Sequence, residues 1–248
     1  MAPKTKKKTA TKKHRVAAKP KAQKPVRKAK AAKAGRAAGT DPKRVAAILA
    51  GLDEAYPGAT CELKHENPFQ LLVSTILSAQ CTDVRVNQVA ETLYKKYPDP
   101  KAFAYATPSV LQQEIRPTGF FRNKTKSVMG ASKAILEKFD GEVPRTMDEI
   151  LTLPGVARKT GNVVLGTAYG ITSGVVVDTH VHRLARLLKL TRQDDPVKIE
   201  QDLMAIVPRN DWTWFSHTLI LHGRAVCIAR RPRCADCALN RLCPSSTV

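Results

Sequence analysis

Residues 146–170 read TMDEILTLPGVARKTGNVVLGTAYG, and the starts and stops inside that stretch decide the fold class. Thr146, followed three positions later by Glu149, is a capping-box pair that gives the run MDEILTL a defined beginning. Pro154-Gly155 ends the run within about two turns. A second helical run begins near Ala157 and carries Lys159 in its first turn. Two helices joined this tightly leave the leading amides of the second one unpaired and facing outward. With the helix dipole behind them, those amides form an anion site that suits a DNA phosphate.

Outward from this hairpin the same punctuation recurs. Asp41-Pro42 is an N-cap followed by proline at the first helical position, leading KRVAAILAGLDEAY into Pro57-Gly58. Asn67-Pro68 repeats the device before FQLLVSTILSAQ, and Thr82-Asp83 starts VRVNQVAETLYKKY, which stops at Pro98. Apolar spacings of three and four continue through SVLQQEI, NKTKSVMGASKAILEKF, THVHRLARLLKL, VKIEQDLMAIV and WFSHTLILHGRAVC. Only GVVV at 174–177 has the composition of a strand, and it is too short to build a sheet. No repeat of constant period is present. The expected fold is all-α with compact turns.

The chain has 248 residues, 43% of them hydrophobic, enough to bury a substantial core. Its net charge of +21 is unevenly placed. Residues 1–40 hold 15 Lys+Arg and no acid, so the other 208 residues, with 27 bases and 21 acids, carry only +6. The leading stretch, 1–38, is Lys, Ala and Pro with almost no large apolar residue, so disorder and polyanion binding are expected of it. A nuclear localisation signal is compatible with the same residues. The apolar centre of a secretory signal is absent, and no run reaches the roughly 18 apolar residues a membrane helix needs.

Four of six cysteines, Cys227, Cys234, Cys237 and Cys243, fall within the last 22 residues with the spacing C-x6-C-x2-C-x5-C. Thiols this crowded cannot pair as disulfides without strain and suit a metal site in a reducing compartment, zinc or iron-sulfur. Cys61 and Cys81 read as ordinary buried thiols. His180 and His182 lack further ligands nearby and read as packing or capping groups, His217 and His222 as surface or hydrogen-bonded core, and Trp212, Trp214 and Phe215 as a packing stripe.

Lys159 has two readings from its position alone: a solvated or phosphate-binding helix lysine, or a nucleophile. A nucleophilic amine at a sugar C1′ gives a Schiff base, which acidifies the C2′ proton and permits β-elimination of the 3′ phosphate; water cannot do this. Only the neutral amine attacks, and the positive end of a helix together with partial desolvation favours that form. Asp178, before THVHRLARLL, is a good N-cap. A carboxylate there could also stabilise an oxocarbenium-like sugar.

LPGVARKTGNVVL resembles the helix-hairpin-helix of the endonuclease III family of DNA glycosylases, and VDTHVHRL at 177–184 resembles the loop and aspartate that follow it. LVSTILSAQCTD (72–83) and TGFFRNK (118–124) are similar to that family's DNA-facing segments, and the likeness runs over about residues 41–243. The resemblance implies two helical lobes with a groove between them. One lobe would be a six-helix domain over 60–172 that holds the hairpin at about 146–167. The other would be a cluster domain built from both chain ends, 39–59 and 173–243. It implies Lys159 and Asp178 as catalytic residues and a 4Fe-4S cluster on the four cysteines, with Arg230, Arg231 and Arg233 on its first loop. DNA contacts are implied for Gln80 as gap-filler, for Phe120 as wedge, for Arg122 and Lys124 on flanking phosphates, and for the hairpin residues Gly155, Ala157 and Arg158. The family usually has glycine where Ala157 stands. If that position needs positive φ, alanine costs about 1–2 kcal/mol; if it needs only close approach to phosphate, one methyl is tolerated.

The implied function is base-excision repair. The expected enzyme is a glycosylase with abasic-site lyase activity on oxidised or damaged pyrimidines in double-stranded DNA, acting as a monomer in a bacterial cytoplasm or, given the basic stretch, a nucleus. A mismatch glycosylase of the monofunctional kind lacks the lysine. In a DNA-compacting protein Lys159 and Asp178 would be replaceable.

Overall fold

The computed structural model describes residues 38–248. Of the basic stretch 1–38, residues 1–37 lie outside the described residues. Regular structure among the described residues is helical throughout. The helices are α1 (Pro42–Ala55), α2 (Pro68–Leu77), α3 (Asp83–Lys96), α4 (Pro100–Ala104), α5 (Pro108–Glu114) and α6 (Phe121–Lys138). They continue as α7 (Met147–Ile150), α8 (Arg158–Tyr169), α9 (Thr179–Leu187), α10 (Pro196–Ile206) and α11 (Trp212–Ala225). None is long and apolar enough to cross a membrane.

Local sequence sets most helix starts. The Asp41 carboxylate accepts from the Lys43 and Arg44 amides, the Asn67 side chain from Gln70, and the Thr82 hydroxyl from Arg85. Each such cap contributes about 1 kcal/mol. The five-residue α4 escapes the periodicity reading because it is shorter than one apolar repeat, although Asp99-Pro100 starts it with the same device.

The buried apolar side chains form two clusters. One draws on residues between Leu63 and Val176, with α2 at its centre: every residue from Phe69 to Leu77 is buried. The other draws on α1, on α9 to α11, and on Leu239 near the carboxyl end. Trp212 and Phe215 lie in the second cluster, and Trp214 packs against it. Arg44 joins the chain ends, its guanidinium donating to the Leu242 and Leu188 carbonyls at 2.6 and 2.8 Å.

Residues 174–177 are not a strand. The chain there is extended, and Val175 enters the second cluster while Val176 enters the first, the alternation expected of extended backbone. No neighbouring strand pairs with it among the described residues; the Val176 amide donates instead to Ser216 Oγ on α11 at 2.9 Å.

Candidate active site

The hairpin is built from α7, the turn to Val156, and α8. The Glu149 amide donates to Thr146 Oγ1 at 3.3 Å, while the Thr146 hydroxyl donates to the Glu149 carboxylate at 2.7 Å. Leu153 and Val156 are buried and anchor the turn. Gly155 has φ +77, and a Cβ there would lie 2.4 Å from Ser127 Cβ on α6. Gly161 lets α8 approach α7, since a Cβ would meet Met147 Sδ at 2.9 Å. Ala157 has φ −101 and ψ 169, ordinary extended backbone, so the left-handed position of this turn is Gly155. As N-cap of α8, Ala157 offers no side-chain acceptor to the leading amides.

Lys159 stands exposed in the first turn of α8, and Asp178 caps α9. The two side chains, from different elements, line one pocket together with Cys61, Asp83, His217 and Arg224. Asp178 Oδ1 accepts from the His180 and Val181 amides, both at 2.8 Å, and its Oδ2 lies 2.8 Å from His180 Nδ1. A carboxylate only accepts, so this contact puts a proton on His180 Nδ1 and fixes the Asp178 rotamer. Burial pushes the Cys61 thiol up to about 11, which keeps it protonated and a poor rival to an amine. Burial also pushes His217 down to about 4, partly opposed by Asp83, so the pocket wall holds a neutral imidazole 3.1 Å from Thr167 Oγ1. The Arg224 guanidinium pairs with Asp83 at 2.8 Å and with Glu62.

Gln80 and Phe120 share a conformation. Gln80, in the turn between α2 and α3, has φ +53; Phe120, immediately before α6, has φ +46 and a ring 62% exposed. Both therefore occupy the left-handed region that disfavours side chains other than glycine. Arg122 is exposed, its guanidinium 5.8 Å from the Phe121 ring centroid. Lys124 faces inward, not toward solvent as a phosphate contact would. Its side chain is buried and its Nζ donates to the Leu77 carbonyl at 2.8 Å and the Thr118 carbonyl at 2.7 Å, so the ammonium ties α6 to the end of α2. Burial pushes its pKa down. The charge pattern of RNK looks alike for an outward and an inward lysine, which is why the sequence did not separate them.

Arg158 is partly committed inward, Nε donating to both oxygens of Glu200 at 3.1 and 3.0 Å while its side chain stays 44% exposed. Glu200, together with Asn162 and Ser173, is a participant that sequence reasoning missed; in VKIEQDL it is one more acid on an amphipathic helix. The Arg224, Asp83 and Glu62 group was missed for the same reason.

Cys227, Cys234, Cys237 and Cys243 all line one cavity, floored by Leu184, Leu188 and Leu239. His222 Nδ1 is 2.9 Å from the Tyr56 hydroxyl and its Nε2 is 3.4 Å from Cys237 Sγ. Among the described residues no group of three His, Cys, Asp or Glu side chains is gathered tightly enough for a single ion. His182 Nε2 contacts the Asp194 carbonyl, away from the cysteines. Arg230, Arg231 and Arg233 are all exposed, and Arg233 also donates to the Ala225 carbonyl.

Residues 73–209 match the HhH-GPD superfamily base excision DNA repair protein family. Endonuclease III of Synechocystis sp. is 56% identical over 204 residues, covering 82% of this chain and 93% of that protein. Endonuclease III of Bacillus subtilis is 46% identical over 202 residues, covering 81% and 92%. A solved trapped endonuclease III–DNA covalent intermediate is 40% identical, with a TM-score of 0.79, covering 83% of this chain and 96% of that one.

Proposed function

We propose that Lys159 and Asp178 are the catalytic pair of this chain, which belongs to the HhH-GPD superfamily of base excision DNA repair proteins and, within it, to the endonuclease III family. It is a DNA glycosylase and abasic-site lyase that acts on double-stranded DNA. The observation that carries the catalytic assignment is the meeting of an exposed helix-start lysine and an oriented aspartate in one pocket. The covalent DNA adduct of the solved relative supports a nucleophile of this kind.

A damaged pyrimidine reaches the pocket only after its nucleotide leaves the stack, at a cost of a few kcal/mol. Gln80 and Phe120, held outward by left-handed backbone, are placed to occupy the space left behind. The leading α8 amides hold a phosphate near the lesion. Asp178 takes a proton from the Lys159 ammonium and stabilises positive charge on the sugar ring. The neutral amine forms a bond to C1′ as the C1′–N bond breaks, and the base departs with the electron pair and the proton that Asp178 had taken, which restores the carboxylate facing the positive charge on the ring. Ring opening gives an imine between C1′ and Nζ. Loss of the C2′ proton then expels the 3′ phosphate as the C3′–O bond breaks, and water releases the lysine. His180 holds Asp178 throughout. Oxidised pyrimidines are the proposed substrates.

The two apolar clusters are read as the two lobes, 60–172 and 39–59 with 173–243, and the pocket as part of the groove. The four cysteines fit a 4Fe-4S cluster: four soft donors around a volume suit a polynuclear group better than one tetrahedral ion. When bound, the cluster cross-links the loop from Cys227 to Cys243, steadying Arg230 and Arg231 for the DNA backbone.

Borohydride reduction during reaction with a duplex holding one oxidised pyrimidine should trap a covalent adduct. Lys159→Ala should abolish it. Asp178→Asn keeps an acceptor for the α9 amides, so folding should survive while the trapping rate falls about 100-fold or more. An undiminished adduct in Lys159→Ala overturns the assignment.

A further inference from the structure

We propose that Glu200 is the positioning residue of the catalytic pair, a buried carboxylate that fixes the start of α8 against the segment leading to Asp178. The proposal rests on the reading of Lys159 as nucleophile. Glu200 lies on α10 and is 6% exposed. Its two oxygens take the Arg158 Nε at 3.1 and 3.0 Å, and Oε1 also takes Asn162 Nδ2 at 2.9 Å. Arg158 and Asn162 are one helical turn apart and bracket Lys159. Asn162 Oδ1 accepts from Ser173 Oγ at 2.9 Å, and Ser173 is five residues before Asp178. One carboxylate thus reaches both strands of chain that deliver the reacting side chains.

Its surroundings leave no slack. A Cβ on Gly174 would lie 2.0 Å from Glu200 Oε1 and 2.7 Å from Asn162 Nδ2, so that stretch of chain passes directly against the charge. α10 contributes Ile199 and Leu203 to the second apolar cluster, while α8 contributes Val163, Val164 and Leu165 to the first. Glu200 is therefore a polar link between two separately packed bodies. Apolar contacts slide, whereas a satisfied buried network has one arrangement. Removing the negative charge leaves Arg158 free to turn outward and α8 free to shift, and a displacement of about 1 Å costs roughly 100-fold in an oriented reaction.

The test uses the full chain with its metal cluster and a duplex containing an abasic site. Single-turnover borohydride trapping at saturating protein is normalised to the final trapped fraction, and DNA affinity is measured separately. Glu200→Gln keeps the volume and an acceptor for Asn162. It should slow trapping about 10- to 100-fold while the dissociation constant stays within about threefold. Asn162→Ala combined with Glu200→Gln should be no slower than the worse single variant, because both break one network. Ser173→Ala removes only the outer hydrogen bond and should slow trapping by about threefold or more; it decides the matter if Glu200→Gln does not fold. Folded Glu200→Gln and Ser173→Ala proteins that trap at the wild-type rate overturn the proposal, leaving Glu200 a stability residue. Peptide mapping that puts the wild-type adduct on a residue other than Lys159 would instead overturn the nucleophile assignment.

Discussion

Gly155 and Ala157 are two positions apart in one turn, and the structure assigns them opposite tolerances. Gly155→Ala places a side chain at φ +77, for which left-handed backbone costs about 1–2 kcal/mol. The new methyl also arrives 2.4 Å from both Ser127 Cβ and Ser127 Oγ, and overpacking of that kind costs about 1–3 kcal/mol. The sum, about 2–5 kcal/mol, should lower the melting temperature by about 5–15 °C in a domain of this size. Adding Ser127→Gly should recover the steric part and leave the conformational part. Ala157→Gly relieves no strain, because φ there is −101. It should lose about 0.4–1 kcal/mol through the freer unfolded chain and regain a comparable amount because glycine is a better N-cap than alanine, so the melting temperature should hardly move, and DNA affinity should change by less than about threefold. Thermal melts followed by circular dichroism, with DNA titrations at several salt concentrations, measure both. Gly155→Ala melting with the wild type, or Ala157→Gly binding DNA tenfold more tightly, would refute the assignment of the turn's special position to Gly155.

Lys124→Met strands the Leu77 and Thr118 carbonyls, at about 1–3 kcal/mol each. It should leave the slope of log affinity against log salt unchanged; a slope smaller by about one would mean that the lysine meets a phosphate after all. His217 titrates near 4 folded and 6.5 unfolded, so the unfolded chain takes up the proton first as pH falls. Stability should therefore drop through the window from about 6.5 to 4, by about 2 kcal/mol between pH 7 and pH 5. His217→Gln should remove that dependence in urea titrations, and an unchanged slope would exclude His217 as its source.

Helix starts were legible because each is a local event: Asp41, Asn67, Thr82 and Thr146 bond amides two or three residues ahead, a range that sequence spacing encodes directly. The four-cysteine spacing is legible for the same reason. What sequence spacing does not encode is the direction of a side chain relative to distant elements. Lys124 and Arg122 differ by two positions and look interchangeable, yet one faces the Leu77 carbonyl and the other faces solvent. Glu200 acquires its importance only from Arg158 and Asn162, some forty residues away. GVVV has strand composition, and with no neighbouring strand among the described residues it remains extended chain satisfied by Ser216.

Two of the helices that lack a side-chain cap begin at turns proposed to meet DNA. Seven helices begin with a side chain that bonds their leading amides: α1 to α4, α7, α9 and α10. Four do not: at α5 and α11 the cap residues Thr107 and Asp211 carry an acceptor that bonds no leading amide, whereas α6 begins at Phe120 and α8 at Ala157, neither of whose side chains can accept a hydrogen bond. Each omission costs about 1 kcal/mol, and Phe120 adds about 1–2 kcal/mol for its left-handed backbone while exposing an aromatic ring to water. Serine or aspartate at position 157, which has the extended backbone of a capping residue, would have stabilised the isolated fold. Of the other non-glycine residues at positive φ among the described ones, Gln80 lies in the turn between α2 and α3, while Asp140 and Lys189 each follow a helix C-cap, an ordinary use of that conformation. Strain and a missing cap coincide at Phe120, whereas Ala157 lacks a cap on unstrained backbone; at both turns phosphate oxygens would supply the acceptors the protein leaves out, and at Phe120 a base-pair gap would bury the ring. DNA binding would then recover what the free protein gives up at those two turns.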